Sequence, residues 1–202
     1  MTTIVAITGG IGSGKSTFSN EVKDRGIKLL DSDQQVNQIY KKPTNDFISF
    51  LNKINLGGSV KNKKINKKFI FNTIFSNKTT RLKLENYIFK IIRKKRKLFV
   101  EDAKKNKDKI IFLDIPLLFE NNLDKEFNII ISVIASKKER FKRLKISKNI
   151  SKKTFNKILK SQTTDVERKK KSDIVIYNNL STKLYLKKIN NILDKIIKWE
   201  RL

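Results

Sequence analysis

Five short stretches of the chain are largely apolar and rich in β-branched residues. They are Ile4–Ile7, Ile27–Leu30, Ile110–Asp114, Asn128–Ala135 and Ile174–Ile176. Short apolar runs with little alternation are typical of strands buried on both faces, as in parallel sheets. The pattern therefore predicts a five-stranded parallel sheet.

The segments between these runs have the spacing of helices. One apolar face follows i, i+3, i+4, i+7 and i+8 through Leu84, Tyr87, Ile88, Ile91 and Ile92, and the C-terminal segment repeats it in Ile189, Ile192, Leu193, Ile196 and Ile197. Ser151 is a candidate N-cap for a helix that reaches Gln162. Strands that alternate with helices predict an α/β fold with helices on both faces of the sheet.

The interval from residue 34 to about residue 107 is largely helical in pattern. Pro43 and the pair Gly57-Gly58 interrupt it. A length of 202 residues is typical of one domain. We therefore expect one domain that carries this interval as an inserted lobe.

Composition excludes several kinds of chemistry. The chain has neither cysteine nor histidine, so it has no disulfide, no zinc site of the Cys/His type and no imidazole base. The net charge of +28 fits a nucleic-acid binder, but the chain has 39 lysines against 8 arginines, together with 29 isoleucines and 20 asparagines. All three abundant residue types have A/T-rich codons. We therefore attribute the charge to nucleotide bias and expect that no nucleic acid is required.

We expect no membrane segment and a cytoplasmic location. No apolar run reaches eighteen residues, and the segment from Met1 to Thr8 has no basic region of the signal-peptide type.

A phosphate-binding motif follows the first predicted strand. Gly9, Gly14, Lys15 and Ser16 occupy every specified position of the Walker A pattern, and four of the chain's seven glycines lie in this loop. Glycines let a polyphosphate approach the backbone N–H groups, Lys15 reaches the β- and γ-phosphates, and Ser16 ligates Mg²⁺. We expect ATP to bind along the whole loop, which comprises Gly10, Ile11, Gly12, Ser13, Gly14, Lys15, Ser16 and Thr17.

Carboxylates follow the second and third predicted strands. Asp31 and Asp33 end one, and Asp114 ends the other. Ligands of open α/β sheets gather outside these strand ends, and phosphoryl transfer needs carboxylates to hold Mg²⁺ and to orient the attacking hydroxyl. Asp33 and Asp114 are both candidate metal ligands beside Ser16. The alternative is that Asp31 or Asp33 only caps a helix that begins at Gln34.

Together these motifs resemble dephospho-CoA kinase. The resemblance rests on Thr8–Ser16, on Asp31-Ser32-Asp33, on Pro116–Asn121, on Gln162 and on the stretch from Ser172 to Asn179, in this order. It covers nearly the whole chain. It implies a P-loop kinase that transfers the ATP γ-phosphoryl group to the ribose 3′-hydroxyl of dephospho-CoA, the last step of coenzyme A synthesis.

The resemblance also implies roles for individual residues. Asp33 would be the general base, supported by Asp31, and Arg143, with Arg140 nearby, would act on the phosphates from a mobile lid. The ATP adenine would lie near Asn178 and Asn179. The core would comprise residues 1–33, 108–142 and 172–202, the acceptor-binding lobe residues 34–107, and the lid residues 143–171.

The Pro116–Asn121 motif supplies two further candidates for acceptor binding, Leu117 and Glu120. Glu120 either contacts the acceptor or pairs with a lysine. The oligomeric state expected is a monomer or a weak homo-oligomer.

Six positions depart from the family pattern. Asn37 stands in place of an arginine, Phe89-Lys90 in place of His-Pro, and Ser147 in place of a lid arginine. The other two positions, Thr44 and Leu180, each stand in place of a glycine. A lysine nearby supplies charge but no bidentate fork, so these departures predict a weaker enzyme.

Two rival functions remain at this point. One is a nucleoside or nucleotide kinase with the same core, and the other is a basic ATPase that acts on nucleic acid.

Overall fold

The structure, a computed structural model, describes residues 1–179 and 181–199, without the side chains of residues 75 and 76. The chain divides into two compact units. The first unit consists of residues 1–31 and of the described residues from Val100 onward, and the second unit is Ser32–Phe99.

The first unit contains the predicted five-stranded sheet. Its strands are β1 (Thr3–Gly9), β2 (Leu29–Asp31), β5 (Ile110–Asp114), β6 (Ile129–Ile134) and β7 (Ile174–Tyr177). Their order across the sheet is β2-β5-β1-β6-β7, and all four pairings are parallel. Every apolar run singled out in the sequence forms one of these strands, so the prediction of a parallel sheet is confirmed.

Helices of the first unit are α1 (Lys15–Asp24), α6 (Lys137–Lys148), α7 (Lys152–Lys160), α8 (Asp165–Lys171) and α9 (Thr182–Trp199). Ser151 caps α7 as predicted, since its side chain accepts a hydrogen bond from Thr154 N, although the helix ends at Lys160 rather than at Gln162. One face of the sheet is packed by α1 and α9, through a core of fully buried residues that includes Val5, Phe18, Ile131, Ile189 and Leu193.

The strand order determines where a ligand can bind. In the sheet, β2 and β5 lie on one side of β1, and β6 and β7 lie on its other side. Parallel sheets bind their ligands at the carboxyl ends of the strands, beside the point where the strand order reverses. The loop after the central strand β1 lies at this point.

The second unit is built from α2 (Ser32–Lys41), α3 (Asn45–Lys53), α4 (Lys67–Ser76) and the greater part of α5 (Lys78–Lys105). Its core joins the apolar face predicted for α5 to α2, α3 and α4, and includes Ile39, Phe47, Leu51, Ile70 and Leu84. Tyr87 stacks on the ring of Phe50, with 3.9 Å between ring centroids. The helical interval has the predicted breaks near Pro43 and at Gly57-Gly58, but the break at Asn77, between α4 and α5, was not predicted.

A short hairpin in this unit was not predicted. It pairs β3 (Val60–Lys61) with β4 (Lys64–Ile65). Two-residue strands are too short to show an alternating pattern. The two turn residues, Asn62 and Lys63, both have positive φ, which is the conformation of the type I′ turn, but the sequence lacks the Asn-Gly or Asp-Gly pair that usually signals it.

In the described part of the chain, no helix is both long enough and apolar enough to span a membrane.

Two leucines of α9 test how far the packing around the sheet stabilises the chain. Leu193 is fully buried, and Leu184 is about half exposed. We expect Leu193→Ala to lower the free energy of unfolding by about 2–5 kcal/mol, since it leaves a cavity in the core. Leu184→Ala should cost less than about 0.5 kcal/mol. Urea denaturation measures both, and equal losses would contradict the packing described.

Candidate active site

The loop between β1 and α1 has the conformation that its glycines permit. Gly12 and Gly14 have φ values of +73° and +98°, in the left-handed region that disfavours other residues. Gly9 needs its missing side chain for a different reason, because a Cβ there would lie 2.5 Å from the carbonyl oxygen of Val133 on β6. The start of the loop thus packs tightly against β6. The loop ends where α1 begins, at Lys15.

Side chains from α6, α9 and the end of β7 bind four consecutive carbonyl groups of this loop. Arg140 donates from Nε to the oxygen of Ile11 at 2.8 Å. Arg143 donates to the oxygens of residues 12 and 13 at 3.4 and 3.3 Å. Asn178 donates to residue 13 at 2.8 Å, and Tyr185 donates to residue 14 at 3.1 Å. The carbonyls therefore face these side chains.

The orientation of the carbonyls determines the orientation of the N–H groups. In a trans peptide the C=O of one residue and the N–H of the next point in opposite directions, and the chain has no cis peptide bond among its described residues. The N–H groups that follow the braced carbonyls of residues 11, 13 and 14 therefore point to the inner side of the loop. Those groups, on Gly12, Gly14 and Lys15, are suited to bind an anion beside the N-terminus of α1.

Lys15 and Asp114 form an ion pair at the carboxyl edge of the sheet. Nζ of Lys15 contacts Oδ1 of Asp114, and Oδ2 accepts a hydrogen bond of 2.6 Å from Ser19. Asp114 is 1% exposed. Burial raises the pKa of Asp114, Lys15 and Ser19 oppose that shift, and nearby Asp31 adds to it. The buried carboxylate thus holds the lysine of the motif next to the loop.

Of the two other carboxylates predicted for the site, Asp31 is the register partner of Asp114 on the neighbouring strand. Asp33 is exposed, and it lies in the first turn of α2, in the second unit. This helix begins at Ser32 and not at Gln34, so Asp33 lies inside its first turn and is not its N-cap. Asp31 directly precedes the helix, and the alternative that Asp31 caps it stays a prediction.

Oxygen donors of the kind that magnesium prefers are present. Ser16 is exposed in the first turn of α1, and Asp114 is close to Lys15 of the same turn. Within the described residues, no three acidic side chains gather into a metal-binding group. Bound Mg²⁺ would thus take most of its ligands from phosphate and water, which is its usual coordination in kinases.

The two predicted lid arginines occupy the outer side of the loop. Arg140 is 3% exposed, and burial lowers its pKa while Asp165 opposes that shift. Arg143 lies in the middle of α6 and also donates to Asn178 O at 2.9 Å. The resemblance predicted that Arg143 acts on the phosphates. In the structure its guanidinium group donates hydrogen bonds to backbone carbonyls. A planar donor fork satisfies several carbonyls at once, which explains this arrangement.

The paired asparagines have structural contacts in addition to the adenine role predicted for them. Asn178 is buried and binds the loop, as described above. Asn179 accepts a hydrogen bond of 2.7 Å from Ser136 N, at the residue that caps α6.

The loop after β5 contains the two predicted acceptor contacts, and they differ in accessibility. Leu117 is 42% exposed. Glu120 accepts hydrogen bonds from Thr163 N at 2.6 Å and from Arg168 at 3.1 Å, and its Oε2 is buried. Glu120 thus forms an ion pair, but its partner is Arg168 and not the lysine of the alternative prediction. The pair has one hydrogen bond, from Nη2 to Oε1, and among the described residues neither Arg168 Nε nor Glu120 Oε2 has a hydrogen-bond partner.

Sequence reasoning missed Ser19, Asp165, Arg168 and Tyr185. A usable signal existed for Arg168. In a chain with 39 lysines and 8 arginines, an arginine marks a place where lysine chemistry does not suffice. Arg140 and Arg168 are both almost fully buried. Burial raises the pKa of Tyr185, which keeps its hydroxyl protonated as a donor.

A cavity of about 670 Å³ opens at the other edge of the sheet. It is lined by residues just before three strands, among them Thr2, Lys109 and Asn128. This is the amino edge, so the cavity does not belong to the phosphate site.

Comparison with known proteins decides the family. Residues 3–183 match the family model of dephospho-CoA kinase. The chain belongs to the dephospho-CoA kinase family. It is therefore a kinase, a transferase whose phosphoryl donor is ATP, and the family acts in the last step of coenzyme A synthesis.

Individual relatives agree with this assignment. The dephospho-CoA kinase of Fusobacterium nucleatum is 36% identical over 197 residues, which are 96% of this chain and 98% of that protein. The solved structure of the dephospho-CoA kinase from Campylobacter jejuni superposes with a TM-score of 0.73 at 26% identity, and the match covers 98% of both chains. A protein from Thermus thermophilus gives 0.77 at 23% identity, over 96% of this chain and 97% of its own, which shows a shared fold. The predicted P-loop kinase fold is confirmed.

Two glycines test whether the loop conformation serves ATP binding. Gly14 and Gly26 both have positive φ, but a Cβ on Gly14 would collide with Asn178, whereas a Cβ on Gly26 meets nothing within 4 Å. We expect Gly14→Ala to weaken ATP binding more than about tenfold, because it displaces braced carbonyls. Gly26→Ala should only lower stability. Calorimetric titration with an ATP analogue distinguishes them, and similar affinities for the two variants would contradict this assignment.

Proposed function

We propose that this chain phosphorylates the ribose 3′-hydroxyl of dephospho-CoA with ATP, and so produces coenzyme A and ADP. The observation that supports the proposal is the Lys15–Asp114 pair beside a loop in which the carbonyls of residues 11–14 accept hydrogen bonds from side chains elsewhere in the fold. Such an arrangement would suit a polyphosphate tail.

The triphosphate would bind along residues 10–17. Inward N–H groups and the N-terminus of α1 would carry the β-phosphate, and Lys15 would turn towards the γ-phosphate. Asp114 limits how far Lys15 can move, so the ammonium group would stay between carboxylate and phosphate. Developing negative charge on the phosphoryl oxygens would be stabilised at this ammonium group.

Magnesium would be held by Ser16, with Asp114 or Asp33 close to it. When bound, Mg²⁺ neutralises charge on the β- and γ-phosphates. Asp114 already accepts from Lys15 and Ser19, so it would act on the ion most readily through water.

Asp33 would be the general base. Its carboxylate is exposed. The 3′-oxygen would attack the γ-phosphorus, its proton would pass to Asp33, and the bond to the β–γ bridging oxygen would break as ADP leaves. Asp31 would support Asp33, and Leu117 would contact the acceptor through its exposed side chain.

The remaining expectations stay predictions. They are a lid in residues 143–171 that excludes water from the transferred group, a role of Asn178 and Asn179 near adenine, a cytoplasmic location, and a monomer or weak homo-oligomer.

An assay of ATP consumption with several acceptors tests the proposed function. We expect turnover with dephospho-CoA, and none of comparable rate with AMP, dTMP or adenosine. Turnover with AMP but not with dephospho-CoA would instead indicate a nucleotide kinase. Stimulation of ATP hydrolysis by polynucleotide would indicate the nucleic-acid-dependent ATPase.

Two aspartates with the same local placement test the role of the base. Asp33 and Asp46 are both exposed in the first turn of a helix. Asp33→Asn should lower kcat by about 10²–10⁴ while it leaves the dissociation constant of ATP unchanged, because only proton transfer is lost. Asp46→Asn should have little effect. A kcat of wild-type size in Asp33→Asn would show that another group is the base.

A lysine lies next to Asn37, the position at which the family pattern has an arginine. Lys67 donates to the side chain of Asn37 at 3.0 Å, within the second unit. A lysine therefore supplies positive charge at the position of the missing arginine, without its bidentate geometry.

Restoring the arginine tests whether this departure weakens acceptor binding. We expect Asn37→Arg to lower the KM for dephospho-CoA by about three- to tenfold and to leave the KM for ATP unchanged. Gln38→Arg, at the next exposed position, is the control for added charge. Equal KM values in both variants and in the wild type would refute the prediction of a weaker enzyme.

A further inference from the structure

One short segment contacts both motifs of the proposed site. It comprises residues 162–168, and we call it the bridging segment. At its start, Gln162 Oε1 accepts a hydrogen bond of 3.0 Å from Ile11 N in the phosphate loop. The next residue, Thr163, donates from its N–H to Glu120 in the loop after β5, at 2.6 Å. Two loops that are more than a hundred residues apart in sequence are therefore held by adjacent residues.

A chain of charges runs in parallel with these hydrogen bonds. Arg140 donates to Ile11 O at 2.8 Å and reaches Asp165 at 3.5 Å. Asp165 accepts from Arg168 at 3.3 Å, and Arg168 donates to Glu120 at 3.1 Å. The two arginines are 3% and 1% exposed, whereas the side chain of Asp165 between them is 30% exposed. The path from the phosphate loop to the loop after β5 is thus continuous, and its two guanidinium groups are buried.

Local structure keeps the bridging segment rigid. Thr164 and Glu167 form a capping box in which each side chain accepts from the backbone N–H of the other residue. Arg168 also donates to the carbonyl of Thr163, so it closes the turn before α8. The capping box and this contact hold the segment in one local conformation between its two attachment points.

Because Arg140 and Arg168 are buried, the stability of this charge chain depends on each of its members. Removing one member leaves a desolvated charge without compensation, and the neighbours must then move. The short contact between Glu120 and Thr163 N leaves little freedom for such a movement. A change in the phosphate loop at Ile11 therefore alters the energy of the loop after β5, and the reverse also holds.

We propose that Gln162, Asp165 and Arg168 are positioning residues that couple the phosphate loop to the loop of residues 116–121, so that ATP binding orders the acceptor contact at Leu117. This inference rests on the proposed function for the acceptor role of Leu117. It assigns Glu120 to the same coupling path instead of to direct acceptor binding.

Amide hydrogen exchange on the wild-type protein tests the coupling without any substitution. A non-hydrolysable ATP analogue with Mg²⁺ should slow exchange at residues 9–17, at residues 117–121 and in the bridging segment. Residues 124–128, which lie just beyond that loop in sequence and at the amino edge of the sheet, should not change. Protection confined to residues 9–17 would overturn the proposal.

Substitution of the buried arginine tests the charge chain. Arg168→Met should weaken binding of the analogue about tenfold and raise the KM values of both substrates. Arg168→Lys should recover part of the affinity, because it restores charge but not the fork. Lys170→Met, which removes an equal charge from an exposed position two residues away, is the control.

The double variant distinguishes coupling from two separate defects. Glu120→Gln alone should also weaken analogue binding, and Glu120→Gln with Arg168→Met should lose no more than Arg168→Met alone, since both act on one path. Additive losses, or an Arg168→Met variant with the affinity of Lys170→Met, would show that the path does not couple the loops. Failure to phosphorylate dephospho-CoA would contradict the proposed function alone, because the analogue-binding and exchange measurements need no acceptor.

Discussion

Everything in the phosphate site depends on the direction of four consecutive carbonyl groups. A loop that binds a triphosphate must turn its N–H groups inward, and it can do so only if its carbonyls find donors on the other side. Here Arg140, Arg143, Asn178 and Tyr185 supply those donors. They come from three separate parts of the chain that the parallel sheet brings together. An isolated glycine-rich peptide would have no such support, since its carbonyls would bind water in many orientations.

The same requirement explains how the chain uses arginine. Lysine is the default cation of this sequence, and its flexible ammonium group serves well on a solvated surface. Backbone carbonyls and carboxylates in a buried site need several donors in a fixed plane, and only the guanidinium group has them. Arg140, Arg143 and Arg168 lie at such places. The exception is Lys15, which pairs with Asp114, and the role proposed for it at the γ-phosphate favours a single mobile charge.

Carboxylates complete the electrostatic arrangement. Asp114, Asp165 and Glu120 each face at least one cation in the first unit, and of these three only Asp114 is almost fully buried. Burial raises the pKa of Asp114, and the contact with Lys15 opposes that shift. Two cations next to the loop are thus paired with carboxylates, Lys15 with Asp114 and Arg140 with Asp165.

Local pattern alone determined the five-stranded sheet, most of the helices and the phosphate-loop motif. Apolar runs identify strands because burial on both faces leaves no room for polar alternation, and the glycine spacing identifies the phosphate loop because backbone conformation is a local property. The roles of Arg168, Asp165 and Tyr185 are not local, since each contacts a partner between 25 and 171 residues away. The same is true of Glu120, for which the sequence left a lysine partner as one alternative, whereas the fold places an arginine there. Only tertiary structure decides such pairings, because they form where strands and helices from distant parts of the sequence meet, and no spacing along the chain records that meeting.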